Sequence, residues 1–152
     1  MSARYTVETN GDQALAAATA ETVFSYVNAA NATVKVIEMS LSFDGVSATA
    51  EPVTVELCHS TEATAGTSTT HTQVQSGGPT RTAQGTFKRG FTAEPTVVTV
   101  FKRWLVHPQT GITIQFPLGR EPEQNTTADA ILVRVTAPAV VNVQGHMEVE
   151  EG

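Results

Sequence analysis

The chain has 152 residues, 40% of them hydrophobic and 16% charged, with a formal net charge of −6 and a pI of about 5.1. That length permits one domain with an apolar core, and the composition excludes both a disordered polyelectrolyte and a lipid-embedded chain. The acidic balance argues against direct binding of nucleic acid, because the basic residues, Lys102-Arg103 among them, stand singly or in pairs and form no run.

Twenty-four residues are threonine, and branching at Cβ suits Thr, like Val, to a pleated strand better than to a helix. Cys58 is the only cysteine, which leaves no intrachain disulfide and no cysteine-built zinc site. No basic stretch followed by an apolar run opens the chain, and no apolar segment is long enough to span a bilayer. Synthesis in a reducing cytoplasm, with no membrane partner, is the expectation.

In chain order, residues 1–9 read as an N-terminal strand or arm, with Tyr5 and Val7 as its dry side, ahead of a single domain over 10–152. The Ala-rich stretch from Asp12 predicts at most one short helix near residues 12–20, which Asp12 could cap. Thr22 to Val27 returns to strand. The cleanest alternation follows from Lys35 to Phe43: Ile37, Met39, Leu41 and Phe43 share one face, while Glu38, Ser40 and Ser42 share the other. Asp44-Gly45 then reads as a turn. The same period recurs at Val53, Val55 and Leu57, which sends Glu56 and Cys58 outward, and a short strand is expected from His71 to Gln75. The run Val97 to Val106 is less regular and predicts a central strand covered on both faces, or one broken by a bulge near Lys102-Arg103. Three more alternating strands fall at Ile112 to Phe116, Ile131 to Val135 and Val141 to Val149, with loops at 60–70, 76–90 and 117–129. Strands with one dry face need a second sheet opposite, so the fold class is all-β, an antiparallel two-sheet sandwich.

Chemistry is sparse in this pattern. Nucleophile elbow, phosphate loop and dinucleotide fingerprint are all missing, and no catalytic residue, cofactor or metal is expected. His146, Glu148 and Glu150 share one side of a strand, but three donors in a line cannot surround an ion unaided, so a solvated face is the simpler reading. Glu121-Pro122-Glu123 beside Arg120 reads as a salt-bridged loop rather than a catalytic carboxylate pair. Cys58 reads as a small buried hydrophobe before it reads as a nucleophile. Trp104, beside Phe101, Leu105 and Val106, belongs to the core or to a subunit interface.

The segments Val36-Ile-Glu-Met-Ser-Leu-Ser-Phe-Asp-Gly45, Val53-Thr-Val-Glu-Leu57, Trp104-Leu-Val-His-Pro108 and Ile114-Gln-Phe-Pro-Leu-Gly-Arg-Glu-Pro122 resemble small jelly-roll proteins that decorate or cement the capsids of tailed bacteriophages. The resemblance runs from about Thr22 to the C-terminus. It implies a jelly roll that forms a homotrimer, sits on the capsid exterior of the virion and bridges copies of the major capsid protein. Arg4, Tyr5, Val7, Trp104, Arg120 and Glu121 are the expected capsid or subunit contacts, with residues 1–9 as an arm pairing with a capsid strand. The alternative is a trimeric tail or fibre domain that binds a host-surface carbohydrate or protein.

Overall fold

Period-two burial is the rule that organises the chain. The computed structural model describes residues 2–44, 51–61 and 66–152. Among them the strands are β1 (Ala3–Glu8), β2 (Gln13–Leu15), β3 (Ala20–Val27), β4 (Val34–Asp44), β5 (Val53–Thr61), β6 (Thr67–His71), β7 (Val74–Gly77), β8 (Thr86–Ala93), β9 (Val98–Val106), β10 (Ile112–Gln115), β11 (Glu123–Gln124), β12 (Asp129–Thr136) and β13 (Val141–Glu151). They form two antiparallel sheets. One runs β10-β4-β13-β1-β7, with β11 also along β4 and β2 along β13; the other runs β6-β8-β3-β12-β5-β9. The sandwich is therefore as the alternation requires. Gly45 of the turn expected at Asp44-Gly45, and residues 62–65 of the 60–70 loop, lie outside the described residues.

The core is the set of in-phase residues from both sheets. Val141, Val143, Met147 and Val149 of β13 are buried, as are Ile131, Val133 and Val135 of β12 and Val53, Val55 and Leu57 of β5. Each such side chain contributes about 1.5–3 kcal/mol by leaving water. Tyr26 and Phe87 meet edge to face at one end, with ring centroids 4.7 Å apart.

Several expectations are corrected by tertiary pairing. Residues 1–9 are not a free arm: β1 lies between β13 and β7, with Val7 opposite Met147 and Tyr5 opposite both Val149 and Gln75. The strand reading of this segment is the one realised, because Ala3, Tyr5 and Val7 bury their side chains in the chain's own core. No helix forms near residues 12–20. Gln13, Ala14 and Leu15 pair with β13 instead, burying Leu15, and Ala18 turns the chain at φ 55°. Alanine's helical advantage is at most about 0.7 kcal/mol per residue, less than the burial of one leucine.

Ile37 leaves the dry face. The β4–β13 register shifts between Glu148 and Val149, so Val36 rather than Ile37 enters the core beside Met39, Leu41 and Phe43. The strand expected from His71 to Gln75 divides, since β6 ends at His71 in one sheet and β7 starts at Val74 in the other. The run at 97–106 is no central strand. As β9 it is the edge of its sheet, but it does carry a bulge: Leu57 faces Lys102 and Cys58 faces Val100, leaving Phe101 without a partner.

Candidate assembly surface

A two-sheet sandwich has two open flanks, where the edge strands of one sheet stand beside those of the other. At the β6/β7 flank lies a half-open groove of about 420 Å³, lined by Tyr5, Thr70, His71, Thr72, Gln73, Gln75, Arg81, Thr82 and their neighbours. Its amides close the chain upon itself. Gln75 Nε2 donates to the Pro79 carbonyl at 2.7 Å, Gln73 Nε2 to the Gly85 carbonyl at 3.2 Å, and Tyr5 Oη to the Arg81 carbonyl at 3.1 Å. Partial burial, helped by the nearby Arg89, holds the His71 imidazole below its usual pKa and hence neutral. Hydroxyls and amides make this flank suited to water.

The opposite flank is apolar. It joins the β5–β9 side of one sheet to the β10–β11 edge of the other through two contacts: Lys102 Nζ of β9 stands 5.9 Å from the Phe116 ring centroid, and Gln124 Nε2 of β11 lies 3.0 Å from His59 Nδ1 of β5. Phe101, set free by the bulge, stacks on His59 with centroids 4.4 Å apart. Burial keeps the His59 ring low in pKa, against the pull of Asp129, so the stacked imidazole is uncharged. Trp104, Ile112, Ile114 and Phe116 pack partly buried against the core between the two edges. Beyond them Leu105 is 72% exposed, and Val97 and Phe101 are also open to solvent.

The segment between β10 and β11 adds a projecting turn to this flank. Phe116 N–H donates to the Ile37 carbonyl at 2.9 Å and Val36 N–H to the Pro122 carbonyl at 2.8 Å, so residues 117–121 loop out from an otherwise continuous edge along β4. Arg120 N–H closes a turn on the Pro117 carbonyl at 2.9 Å, with Gly119 at φ 79° in its third position. That is type II geometry, which requires a residue tolerant of positive φ there. Its tip is Leu118, 96% exposed.

Of the expected contact residues, the fold thus gathers Trp104, Arg120 and Glu121 at one flank. Arg120 and Glu121 do not form the expected salt bridge; neither side chain pairs with any described residue. Arg4, Tyr5 and Val7 lie elsewhere, in β1 on the far side of β13 from β4. Only Arg4 among them reaches solvent, where its guanidinium stands 3.7 Å from Glu148. Phe101, Leu105 and Leu118 complete the surface. Leu118 is legible in hindsight from Pro117-Leu-Gly119, a turn signature with an apolar tip, whereas the exposure of Leu105 depends on β9 being an edge.

Charge is organised on the outward face beside β9. Glu56 accepts from Arg103 at 2.7 Å and from Arg134 at 2.6 Å, one carboxylate holding two guanidinium groups. Burial raises its pKa, but the hydrogen bonds from Arg134 and Arg103 outweigh that, and the net shift is downward. Cys58 shares this face as expected and is nevertheless fully covered. Burial pushes its thiol up to about 11, so it is a poor nucleophile. The stripe His146, Glu148 and Glu150 does not converge: His146 Nε2 meets Glu38 at 2.9 Å, while Glu148 accepts from Ser76 at 2.7 Å. Among the described residues, no group of three His, Cys, Asp or Glu side chains could hold a metal ion.

No protein-family model matches the chain, and neither a curated protein nor a solved structure is significantly similar to it.

Proposed function

We propose that this chain is a structural virion protein that binds the outside of a phage capsid and stabilises it by bridging copies of the major capsid protein, as a homotrimer of jelly-roll domains. The observation that carries this reading is the apolar flank: an edge strand paired on one side only, with Phe101, Leu105 and Leu118 open to solvent beside it. Natural folds blunt exposed edges with charge and bulges, as Lys102, Arg103 and the bulge at Phe101 do in part here, but the exposed apolar side chains beside this edge are costly in a protein that works alone and mark an interaction surface. The sequence resemblance supplies the kind of partner. Stabilisation then follows by mass action, because the intact shell binds the protein and separated subunits do not.

The test compares purified particles that carry and lack the protein, by imaging and by heat release of their contents. Ordered copies on the shell and a raised release temperature are expected, and both should vanish for Leu118→Asp with Leu105→Asp. Particles that bear no copies would overturn the proposal. The groove at the β6/β7 flank favours a second reading, a tail or fibre domain, since Thr70, Thr72 and Thr82 line it with hydroxyls suited to a sugar. Binding to a glycan array, with copies confined to the tail, would establish that reading instead.

A further inference from the structure

The edge strand at the apolar flank specifies more than an apolar contact. From Lys102 to Val106 β9 is regular and paired with β5 alone, so alternate residues direct N–H and C=O groups away from the sheet with no strand to receive them. The bulge at Phe101 marks the end of this flat stretch. Its side chains have a defined order. Lys102, Trp104 and Val106 stand opposite the core residues Leu57, Val55 and Val53, whereas Arg103 and Leu105 stand opposite Glu56 and Thr54 on the outward face.

The stretch is also positively charged within an acidic protein. Lys102 is exposed, with the Phe116 ring beneath its ammonium. The Arg103 side chain is 60% exposed, and the carboxylate that holds it is shared with Arg134, leaving that cluster with a net positive charge. Between Val98 and Val106 there is no acidic residue. Pairing with β9 of a second copy would therefore bring no counter-charge in any register. Centred on Lys102 or Arg103 it opposes like charges, and centred on Trp104 it sets both cations against Val106 and Leu105.

Resting on the reading of this flank as an assembly surface, we propose that its occupant is an extended acidic strand of a partner chain, added to the sheet alongside Lys102 to Val106. The order of side chains dictates the motif. Two adjacent acidic residues face Lys102 and Arg103, and two adjacent apolar residues face Trp104 and Leu105. In antiparallel pairing the partner reads apolar-apolar-acidic-acidic, and in parallel pairing the reverse.

The test uses the full chain and four capped peptides: Ser-Thr-Ile-Val-Glu-Glu-Ser-Thr, its reversed sequence, and the version of each with Lys-Lys in place of Glu-Glu. One acidic peptide should bind at least about tenfold more tightly than its lysine counterpart, with the difference shrinking as salt rises. Bound peptide should slow amide exchange at alternate residues of Lys102 to Val106. Lys102→Glu, at an exposed position, should reduce or reverse the preference while leaving the fold intact. Equal binding by acidic and basic peptides, binding without protection of β9, or protection of β9 by self-association in the absence of peptide would each overturn the inference. Particle binding lost in Leu105→Asp but without any peptide preference would defeat strand addition and leave the assembly surface standing. Peptide preference together with bare particles would do the opposite.

Discussion

Glu151 sets its carboxyl oxygens at the edge of the core, with only 1% of the residue exposed. It accepts a hydrogen bond from the Tyr26 hydroxyl, and from the backbone N–H groups of Gln84 at 2.9 Å and Gly85 at 2.7 Å. These contacts fasten the end of β13 to the connection entering β8. Burial, followed by the bond to Glu151, raises the Tyr26 pKa, so the phenol remains the donor across the accessible range. Gly85 fits because it has no side chain: a Cβ there would stand 2.3 Å from the Tyr26 ring. Glu151→Ala strands three donors. The Tyr26 hydroxyl and Gly85 N–H each cost about 1–3 kcal/mol when left buried and unpaired, the part-buried Gln84 N–H costs less, and water entering the vacated space recovers part of that. A loss of about 3 kcal/mol is expected, which lowers Tm by roughly 6–12 °C for a chain of this size. Calorimetry with urea denaturation measures it, and Glu150→Ala, on the opposite phase of the same strand, is the control, expected within about 0.5 kcal/mol of the parent. A loss below about 1 kcal/mol for Glu151→Ala, or one no larger than the control's, would refute the reasoning.

Glu56→Gln removes the charge that two arginines share. Because the folded pKa of Glu56 is lowered, its stabilisation is fully present above its unfolded value near 4.5 and fades as pH falls through the folded pKa. Urea titrations between pH 3 and 7 should show that acid-side loss diminished in the variant, with a cost of about 1 kcal/mol at neutral pH, discounted for the exposure of Arg103. Native Cys58 should resist iodoacetamide at pH 8 and react only once denaturant opens the sheet; rapid native alkylation, followed by mass, would contradict its burial. Deleting residues 1–9 should abolish the cooperative unfolding transition rather than remove a dispensable arm, since Ala3, Tyr5 and Val7 leave the core together. A truncated chain with unchanged circular dichroism and Tm would restore the arm.

Much of the sandwich was legible in the alternation itself. Val141, Val143, Met147 and Val149 are buried as their period demands, and so are the in-phase residues of β5 and β12. A further signal was present and easily passed over: Glu151 continues the apolar phase of β13, and a carboxylate on the dry side of a strand implies donors waiting opposite. Ile37 shows where the period fails. A single bulge moves a strand's phase by one residue, and nothing in Val36-Ile37-Glu38 states which of its apolar residues will be displaced.

The candidate surface was legible only in pieces. Trp104, Arg120 and Glu121 were expected as contacts from the chain alone, and they lie on one flank because β9 and the 117–121 turn edge neighbouring sheets. Tyr5 and Val7 were expected as contacts on a separate N-terminal arm and are core residues of an interior strand. The sequence by itself determined that this chain forms half-buried strands, because alternation is a local property of the pleat. Tertiary structure alone decided which strands stand at an edge. A central strand and an edge strand can share the same residues, and they differ only in whether a second row of backbone groups finds a partner far away in the chain.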